Sequence, residues 1–167
     1  NVVIFGVTGS GKSSLVNLIT GKEKAPTSGD ALGCTPEPTV YEHDVVVLHN
    51  SVKVQLFDTA GLDEGSQGNI PAMQGQKALK VLLKTLKKNR GIHLLIYCVH
   101  GTKDVKTLQR NYKLVQSKVK GKVPIVLVVT GLENREPDME DWWRNNEASI
   151  SALGMNFAGH ACITAVT

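Results

Sequence analysis

The sequence predicts an α/β fold in three layers, built around a mostly parallel six-stranded sheet. Short runs rich in β-branched residues alternate with segments of helical period, a pattern typical of a sheet covered by helices on both faces. With 167 residues, of which 41% are hydrophobic and 20% charged, the chain is long enough for one domain with a complete core. Its apolar runs all fall short of the roughly 20 residues that cross a bilayer.

One pair of strands breaks the parallel pattern. Only His49-Asn50-Ser51 joins the second predicted strand to the third, which is too short for a crossover helix, so we expect one antiparallel edge strand. Two longer connections, residues 22–38 and 60–71, are rich in glycine and polar residues, as functional loops often are. The predicted strands are residues 2–5, 40–48, 52–57, 92–99, 125–129 and 161–166, and the predicted helices are residues 13–20, 72–88, 104–119 and 138–153.

The composition of the chain limits the cellular environment and the classes of partner that fit it. Cys34, Cys98 and Cys162 are odd in number and lack metal-ligand spacing, which favours a reducing, cytoplasmic setting. Aromatic residues, at 5%, are too few for a surface that stacks nucleic-acid bases. The basic residues of the second and third predicted helices are interpreted as solvated faces rather than a contact with anionic lipid or an acidic partner. Because the chain enters a strand directly from Asn1, we expect residues 1–167 to be one domain taken from a longer protein, cut at both ends.

Residues 6–13 match the phosphate-binding pattern G-x-x-x-x-G-K-[ST] in full. The pattern follows a predicted strand and opens a predicted helix, the context in which it forms a P-loop. Glycines allow successive backbone N–H groups to face phosphate oxygens, and the helix terminus adds its positive dipole end. Lys12 is expected to contact the β- and γ-phosphates, and the Ser13 hydroxyl to ligate Mg²⁺. The candidate phosphate-binding residues are Thr8, Gly9, Ser10, Gly11, Lys12, Ser13 and Ser14.

A second element, Asp58-Thr59-Ala60-Gly61, follows the third predicted strand. Ligands of open α/β sheets gather at the carboxyl ends of the strands, which is where this Asp lies. Asp58 is expected to hold Mg²⁺ through a bound water, because Mg²⁺ dehydrates reluctantly. Gly61 is expected to offer its backbone N–H to the γ-phosphate.

A threonine from the first long loop is expected to complete the metal site. Thr35, in Gly33-Cys34-Thr35, is placed to ligate Mg²⁺ through its hydroxyl while its amide contacts the γ-phosphate. Thr39 is the alternative, but it lies at the start of a predicted strand and has less freedom to fold over a nucleotide. We favour Thr35.

These three elements, in this order, resemble the Ras-like P-loop GTPase superfamily, which implies GTP or GDP with Mg²⁺ as ligands. Thr130-Gly131-Leu132-Glu133 stands where these GTPases carry N/T-K-x-D, the motif that reads guanine. Here Gly replaces Lys, so the packing of a lysine stem over the base is absent. Glu133 keeps a carboxylate for the guanine N–H groups on a longer side chain. Thr164 lies in a segment similar to the S-A-K element, whose backbone contacts the base.

The details of the motifs resemble the septin-related branch, which includes the avirulence-induced and immunity-associated GTPases, the Toc-type chloroplast import receptors and small fungal G-domain proteins. Domains of this branch carry a further helix after the sixth strand, which this sequence does not contain. The resemblance implies homo- or hetero-association through the nucleotide face as a mode of regulation.

Hydrolysis is expected to be slow in the isolated domain. Leu62 occupies the position where Ras-type enzymes carry the glutamine that orients the attacking water. Gln67, Gln74 and Gln76 remain open as substitutes, and neither predicted loop contains an arginine. We therefore expect an activating protein, or self-association as a homodimer, to accelerate the reaction. Two functions stay open: a GTP-hydrolysing switch, and a nucleotide-ordered assembly module with little hydrolysis.

Three other side chains are assigned structural roles. Trp142 and Trp143 point about 100° apart on a helix, so one is expected in the core and the other nearer the surface. His100 directly follows the fourth predicted strand, where a structural turn residue is the favoured interpretation.

Overall fold

The computed structural model of this chain describes residues 1–21, 37–62, 70–135 and 137–164. One six-stranded sheet runs through the molecule in the order β2-β3-β1-β4-β5-β6. The strands are β1 (Val2–Phe5), β2 (Thr39–Val47), β3 (Asn50–Asp58), β4 (Leu94–His100), β5 (Ile125–Thr130) and β6 (Gly159–Cys162). The helices are α1 (Lys12–Thr20), α2 (Ile70–Lys88), α3 (Gln109–Val119) and α4 (Asp141–Ala152), with a 3₁₀ turn at Val105–Leu108.

The sheet is parallel except for the pair β2 and β3, which is antiparallel as the short connection predicts. The connection itself is shorter than expected. Val47 pairs with Asn50, so Leu48 and His49 alone form the turn, and both have positive φ, at 49° and 68°. Such a two-residue turn matches the right-handed twist of the two strands.

Two helices begin later than their hydrophobic period indicates. The predicted helix at 104–119 opens with the 3₁₀ turn, because the Asp104 carboxylate accepts from the Lys106 N–H at 2.9 Å. The Asp138 carboxylate likewise accepts from the Glu140 N–H at 3.0 Å, and α4 starts only at Asp141. In both places a local side-chain bond competes with the first helical turn. The last strand also differs, since β6 begins at Gly159 rather than at residue 161.

Apolar cores lie on both faces of the sheet, which confirms the three-layer prediction. On the larger face, helices α2, α3 and α4 cover Val3, Phe5 and Tyr97, and the last two rings stack with centroids 4.6 Å apart. The opposite face carries α1, whose Leu15 and Val16 pack on a smaller cluster. Among the described helices, none combines the length and apolarity of a membrane span.

The two tryptophans divide as the helical angle predicts. Trp142 is buried, and its Nε1 donates to the Gly101 carbonyl at 2.9 Å. Trp143 is half-buried and stacks on the His160 ring, with centroids 4.1 Å apart. Trp142 therefore connects α4 to the end of β4 through this hydrogen bond, whereas Trp143 lies nearer the surface.

Candidate functional site

The glycine-rich loop lies between β1 and α1, at the carboxyl edge of the sheet. Gly9 and Gly11 have φ of 80° and 94°, left-handed values that a residue with a Cβ rarely adopts. Gly6 is required for a different reason: a Cβ there would collide with the Cys98 carbonyl and lie 2.8 Å from Ser10 Oγ. Three glycines therefore let the loop curl tightly against the end of β4.

The Ser10 carbonyl is held from inside the protein by two donors. Thr130 Oγ1 donates to it at 2.7 Å, and the Cys98 thiol at 3.1 Å. Because a trans peptide directs its carbonyl and its N–H in opposite directions, the Gly11 N–H points away from Thr130 and Cys98. Burial raises the pKa of Cys98 to about 11, so the thiol keeps the proton that it donates. The arrangement fixes the orientation of an amide that a phosphate site needs.

Lys12 is buried and folded back over the loop. Its Nζ donates to the Gly6 carbonyl at 3.2 Å and to the Val7 carbonyl at 3.0 Å. Burial lowers its pKa, while the nearby Asp58 carboxylate acts in the opposite direction. An anion placed at this ammonium would favour its charged form, as expected of a phosphate-binding lysine.

Ser13 and Asp58 form the oxygen pair that the motifs predict. The Ser13 hydroxyl donates to Asp58 Oδ2 at 2.9 Å. Burial raises the pKa of Asp58, and the hydrogen bond from Ser13 and the charge of Lys12 oppose that rise. A hydroxyl and a carboxylate are hard oxygen ligands that suit Mg²⁺, which commonly takes one or two protein ligands together with waters and phosphate oxygens. Within the described ranges no group of three His, Cys, Asp or Glu side chains forms a richer metal site.

Gly61 lies directly on the phosphate loop. A Cβ at Gly61 would collide with the Thr8 side chain and lie 2.8 Å from the Thr8 backbone. The next residue, Leu62, donates its N–H to the Gly6 carbonyl at 3.0 Å. The Leu62 side chain is 2% exposed and belongs to the core, so it offers nothing to a water molecule at the site.

The residues that the sequence predicts to read the base differ in their exposure. Thr130 is buried beneath the phosphate loop, whereas Glu133 and Thr164 are exposed after β5 and β6. Glu133 and Thr164 are therefore at the correct edge of the sheet. Thr39 belongs to β2 and pairs with Asp58, as the strand prediction implied.

Some predicted residues lie outside the described part of the chain. Thr35 and Gln67 are among them, so the choice of Thr35 over Thr39 stays a prediction. Gln74 and Gln76 lie on α2. The sequence pattern assigns Cys98 no role at the phosphate loop and so misses the bond that its thiol donates to the Ser10 carbonyl. The sequence signal that could have indicated this contact is the position of Cys98 near the end of β4, the strand that lies beside the phosphate loop.

A glycine-rich loop between the first strand and the first helix, followed by an acidic residue at the end of β3, defines a P-loop nucleotide-binding protein. Residues 1–131 match the family described as 50S ribosome-binding GTPase, which is more than half of the chain. The chain therefore belongs to this GTPase family, whose domain binds guanine nucleotide, and the Ras-like superfamily resemblance is confirmed.

Relatives and solved structures agree with that family. The chain is 25% identical over 151 residues to the tRNA modification GTPase MnmE of Wigglesworthia glossinidia brevipalpis, covering 90% of this chain and 31% of the relative. It is 29% identical over 141 residues to GTPase Der of Helicobacter hepaticus, covering 84% and 26%. A septin homolog, spn1 of Schizosaccharomyces pombe, is 36% identical over 72 residues, covering 38% and 15%. The chain thus spans less than a third of each of these relatives.

Two solved structures illustrate the shared fold. Toc33 from Arabidopsis thaliana in complex with GDP and Mg²⁺ superimposes with a TM-score of 0.69 at 20% identity, covering 99% of this chain and 70% of that one. Era from Aquifex aeolicus, bound to GDP and AlF₄⁻, gives a TM-score of 0.71 at 18% identity, covering 98% and 50%. The septin and Toc33 similarities agree loosely with the septin-related branch.

Proposed function

We propose that this domain is a GTP-dependent switch that hydrolyses GTP slowly on its own. The observation that carries the proposal is the grouping of Lys12, Ser13 and Asp58 at one edge of the sheet, beside a Leu62 side chain that is buried in the core. The first three supply charge and oxygen ligands for a Mg²⁺-nucleotide. The Leu62 side chain leaves the position that usually orients the attacking water without a polar group.

Each predicted site residue has a defined task under this proposal. Lys12 and the amides of the loop bind the phosphates, with the Thr8 and Ser14 positions flanking the cradle. Ser13 and Thr35 ligate Mg²⁺, and Asp58 supports the metal through a water. Glu133 accepts from the guanine N–H groups, and the backbone at Thr164 faces the base. Bound Mg²⁺ would neutralise charge that develops on the phosphates during hydrolysis.

The contacts of Gly61 support a switch. Gly61 lies against Thr8 of the phosphate loop and also against Gly75 of α2, since a Cβ at Gly75 would lie 2.6 Å from the Gly61 carbonyl oxygen. A movement of the Gly61 peptide toward a γ-phosphate would therefore also displace α2. Such tight backbone packing transmits a small shift because neither glycine has a side chain that can yield.

A partner is expected to accelerate hydrolysis. Among proteins of similar fold, the dimerization of Toc33 and of a Toc159 from another source is described as important for their GTPase activity. We propose that this domain likewise associates through its nucleotide face, as a homodimer or with an activating protein. The alternative is an assembly module in which GTP orders the interface and hydrolysis is incidental. Under either function a cytoplasmic location is proposed.

The rate of GTP hydrolysis and the oligomeric mass of the protein, measured together, test the proposal. Phosphate release from GTP should be slow at low protein concentration, and the rate per molecule should rise as concentration increases. Sedimentation with a non-hydrolysable GTP analogue should give a larger species than sedimentation with GDP. Lys12→Ala serves as the control for contaminating activity. Fast, concentration-independent hydrolysis by a monomer would refute the slow switch, whereas assembly without any phosphate release would favour the module.

The nucleotide preference is tested separately. Glu133→Ala should reduce the preference for GTP over ATP, because the carboxylate that accepts from guanine is lost. The nucleotide that co-purifies with the wild-type protein gives an independent answer. An unchanged GTP-to-ATP ratio in the variant would remove Glu133 from the base site.

A further inference from the structure

His100 occupies the space beside Gly131, where the base-reading motif of the superfamily has its lysine. Gly131 has a φ of 74°, and a Cβ built on it would collide with Nε2 and Cε1 of the His100 imidazole and lie 2.7 Å from Cδ2. A lysine at position 131 and the present ring position are therefore incompatible. The glycine and the histidine form a matched pair.

The His100 ring is held in place at this edge of the sheet. Its Nδ1 accepts from the Thr102 N–H at 3.3 Å and lies 2.8 Å from Thr102 Oγ1. In the neutral ring, the accepting role of Nδ1 places the proton on Nε2, at the edge that faces Gly131. Among the described residues, Nε2 has no hydrogen-bond partner.

Neighbouring bonds fix the backbone on which the ring stands. His100 pairs with Thr130 in the sheet, and the Gly101 N–H donates to the Thr130 carbonyl at 2.7 Å. The Gly101 carbonyl in turn accepts from Trp142 Nε1 of α4. The same Thr130 braces the phosphate loop through its hydroxyl. His100 thus stands on the structural unit that links the phosphate loop to the base-reading segment.

We infer that the His100 imidazole forms the packing surface for the guanine base that a lysine stem provides elsewhere in the superfamily. This inference rests on the proposed function, since it requires guanine nucleotide at the site. A planar ring offers a base a π-face for contact, and base–aromatic contacts contribute measurably to affinity. His100 is thereby a specificity-determining residue rather than only a turn residue.

The two roles considered for His100, a turn residue and a packing surface for the base, differ in the ligands whose binding they affect. A turn residue would act on the whole edge of the sheet, and its loss would weaken phosphate and nucleotide alike. A packing surface for the base affects only ligands that carry a base. Titration of Mg²⁺-GDP and of Mg²⁺-pyrophosphate by calorimetry therefore separates the two roles.

In the first experiment His100→Ala should weaken GDP binding about tenfold, by loss of base contact, and leave pyrophosphate binding within about twofold. His100→Phe keeps a planar ring and should retain most of the GDP affinity. His43→Ala, in the middle of the edge strand β2, is the matched control and should bind GDP like the wild type. The assignment is overturned if His100→Ala leaves GDP affinity unchanged, if it weakens both ligands equally, or if Phe is no better than Ala.

A second experiment uses the pairing of His100 with Gly131. Gly131→Lys alone should weaken GDP binding, because its Cβ displaces the ring. Combining it with His100→Ala makes room for the lysine stem and should restore part of the affinity, so that the double variant binds GDP better than Gly131→Lys alone. A double variant that binds no better would overturn the pairing. Wild-type protein that binds pyrophosphate but not GDP would instead refute the proposed function itself, and the base contact with it.

Discussion

At the scale of single residues, the Ser10 carbonyl shows how the core shapes the phosphate loop. Thr130, 120 positions away, and Cys98, 88 positions away, both donate to this one oxygen. Removing one donor leaves a buried acceptor less well satisfied, and the loss of a buried hydrogen bond costs roughly 1–3 kcal/mol. The orientation of the Gly11 amide depends on these bonds.

Thr130→Val tests this dependence, because it removes the hydroxyl and keeps the shape of the side chain. We expect the free energy of unfolding to fall by about 1–2 kcal/mol and GDP affinity to fall about tenfold. Thr130→Ser keeps the donor and is the matched control. Urea unfolding and calorimetric titration measure the two effects. Equal GDP affinity in the Val and Ser variants would show that the hydroxyl does not position the loop.

The sequence predicted that some residues of the candidate site lie close together and missed other contacts there, for a physical reason. Lys12 and Ser13 are set by a contiguous motif, and Asp58 by its place at the end of an apolar strand, so spacing alone was enough. Their proximity is seen in the 2.9 Å bond between Ser13 and Asp58. The donors to Ser10, by contrast, come from β4 and β5, and only the register of the sheet brings them to the loop. Local pattern carries no information on such a contact.

At the scale of elements, α2 approaches the phosphate loop through two glycines. Gly75 faces the Gly61 carbonyl, and Gly61 faces Thr8. Ala normally stabilises a helix by about 1 kcal/mol relative to Gly, so α2 itself would gain from a substitution at position 75. A loss of function there would therefore report on packing against Gly61 and not on helix stability.

Gly75→Ala is expected to weaken binding of a non-hydrolysable GTP analogue several-fold while changing GDP affinity little. The new Cβ would lie 2.6 Å from the Gly61 oxygen, so Gly61 or α2 has to shift, and the Gly61 N–H that we propose for the γ-phosphate would be displaced. Gly159→Ala is the control, because its Cβ would find its nearest neighbour at 3.7 Å. Fluorescence titration with labelled nucleotides gives both affinities. Equal losses for the two nucleotides would argue against a γ-phosphate-sensitive contact.

The turn between β2 and β3 is a second element with a measurable consequence. Leu48 and His49 both have positive φ, a conformation that costs a residue with a side chain roughly 1–2 kcal/mol. Leu48 is also 86% exposed, so its side chain gains little from packing. The sequence predicted the antiparallel pair but placed the turn later, because this turn lacks the Asn-Gly signature that usually marks its position.

Replacing Leu48-His49 with Asn-Gly should therefore stabilise the protein by about 1 kcal/mol, since both new residues tolerate the left-handed region. The urea concentration at the midpoint of unfolding should rise, and the dependence of the free energy of unfolding on urea should not change. GDP affinity should stay the same because the turn lies at the opposite end of β3 from Asp58. The order-reversed pair, Gly-Asn, is an internal comparison. A lower midpoint for Asn-Gly would mean that the present side chains make contacts that outweigh the strain.

At the scale of the whole molecule, the sheet gathers the ends of its strands into one ligand site. The phosphate loop follows β1, Asp58 ends β3, His100 ends β4 and Thr130 ends β5. The alternation of strands and helices predicted this arrangement, because parallel strands bring their carboxyl ends to one edge. A ligand that contacts several of these ends links elements that are distant in sequence, so its binding should stabilise the fold as a unit.

Thermal unfolding measures that linkage. At a GDP concentration 100 times the Kd, with Mg²⁺ present, binding adds about 2.7 kcal/mol to the free energy of unfolding. For a domain of this size each kcal/mol raises Tm by about 2–4 °C, so we expect a rise of roughly 5–10 °C. Lys12→Ala should remove the rise, because we propose its buried ammonium as the cation that binds the phosphates. Lys84→Ala, an exposed lysine on α2, should keep it. Chelating Mg²⁺ should reduce the rise in the wild type, since Ser13 and Asp58 are the residues that we propose to hold this ion beside the phosphates. ADP should give a smaller rise than GDP at equal concentration, and an equal rise would mean that the exposed Glu133 does not select the base.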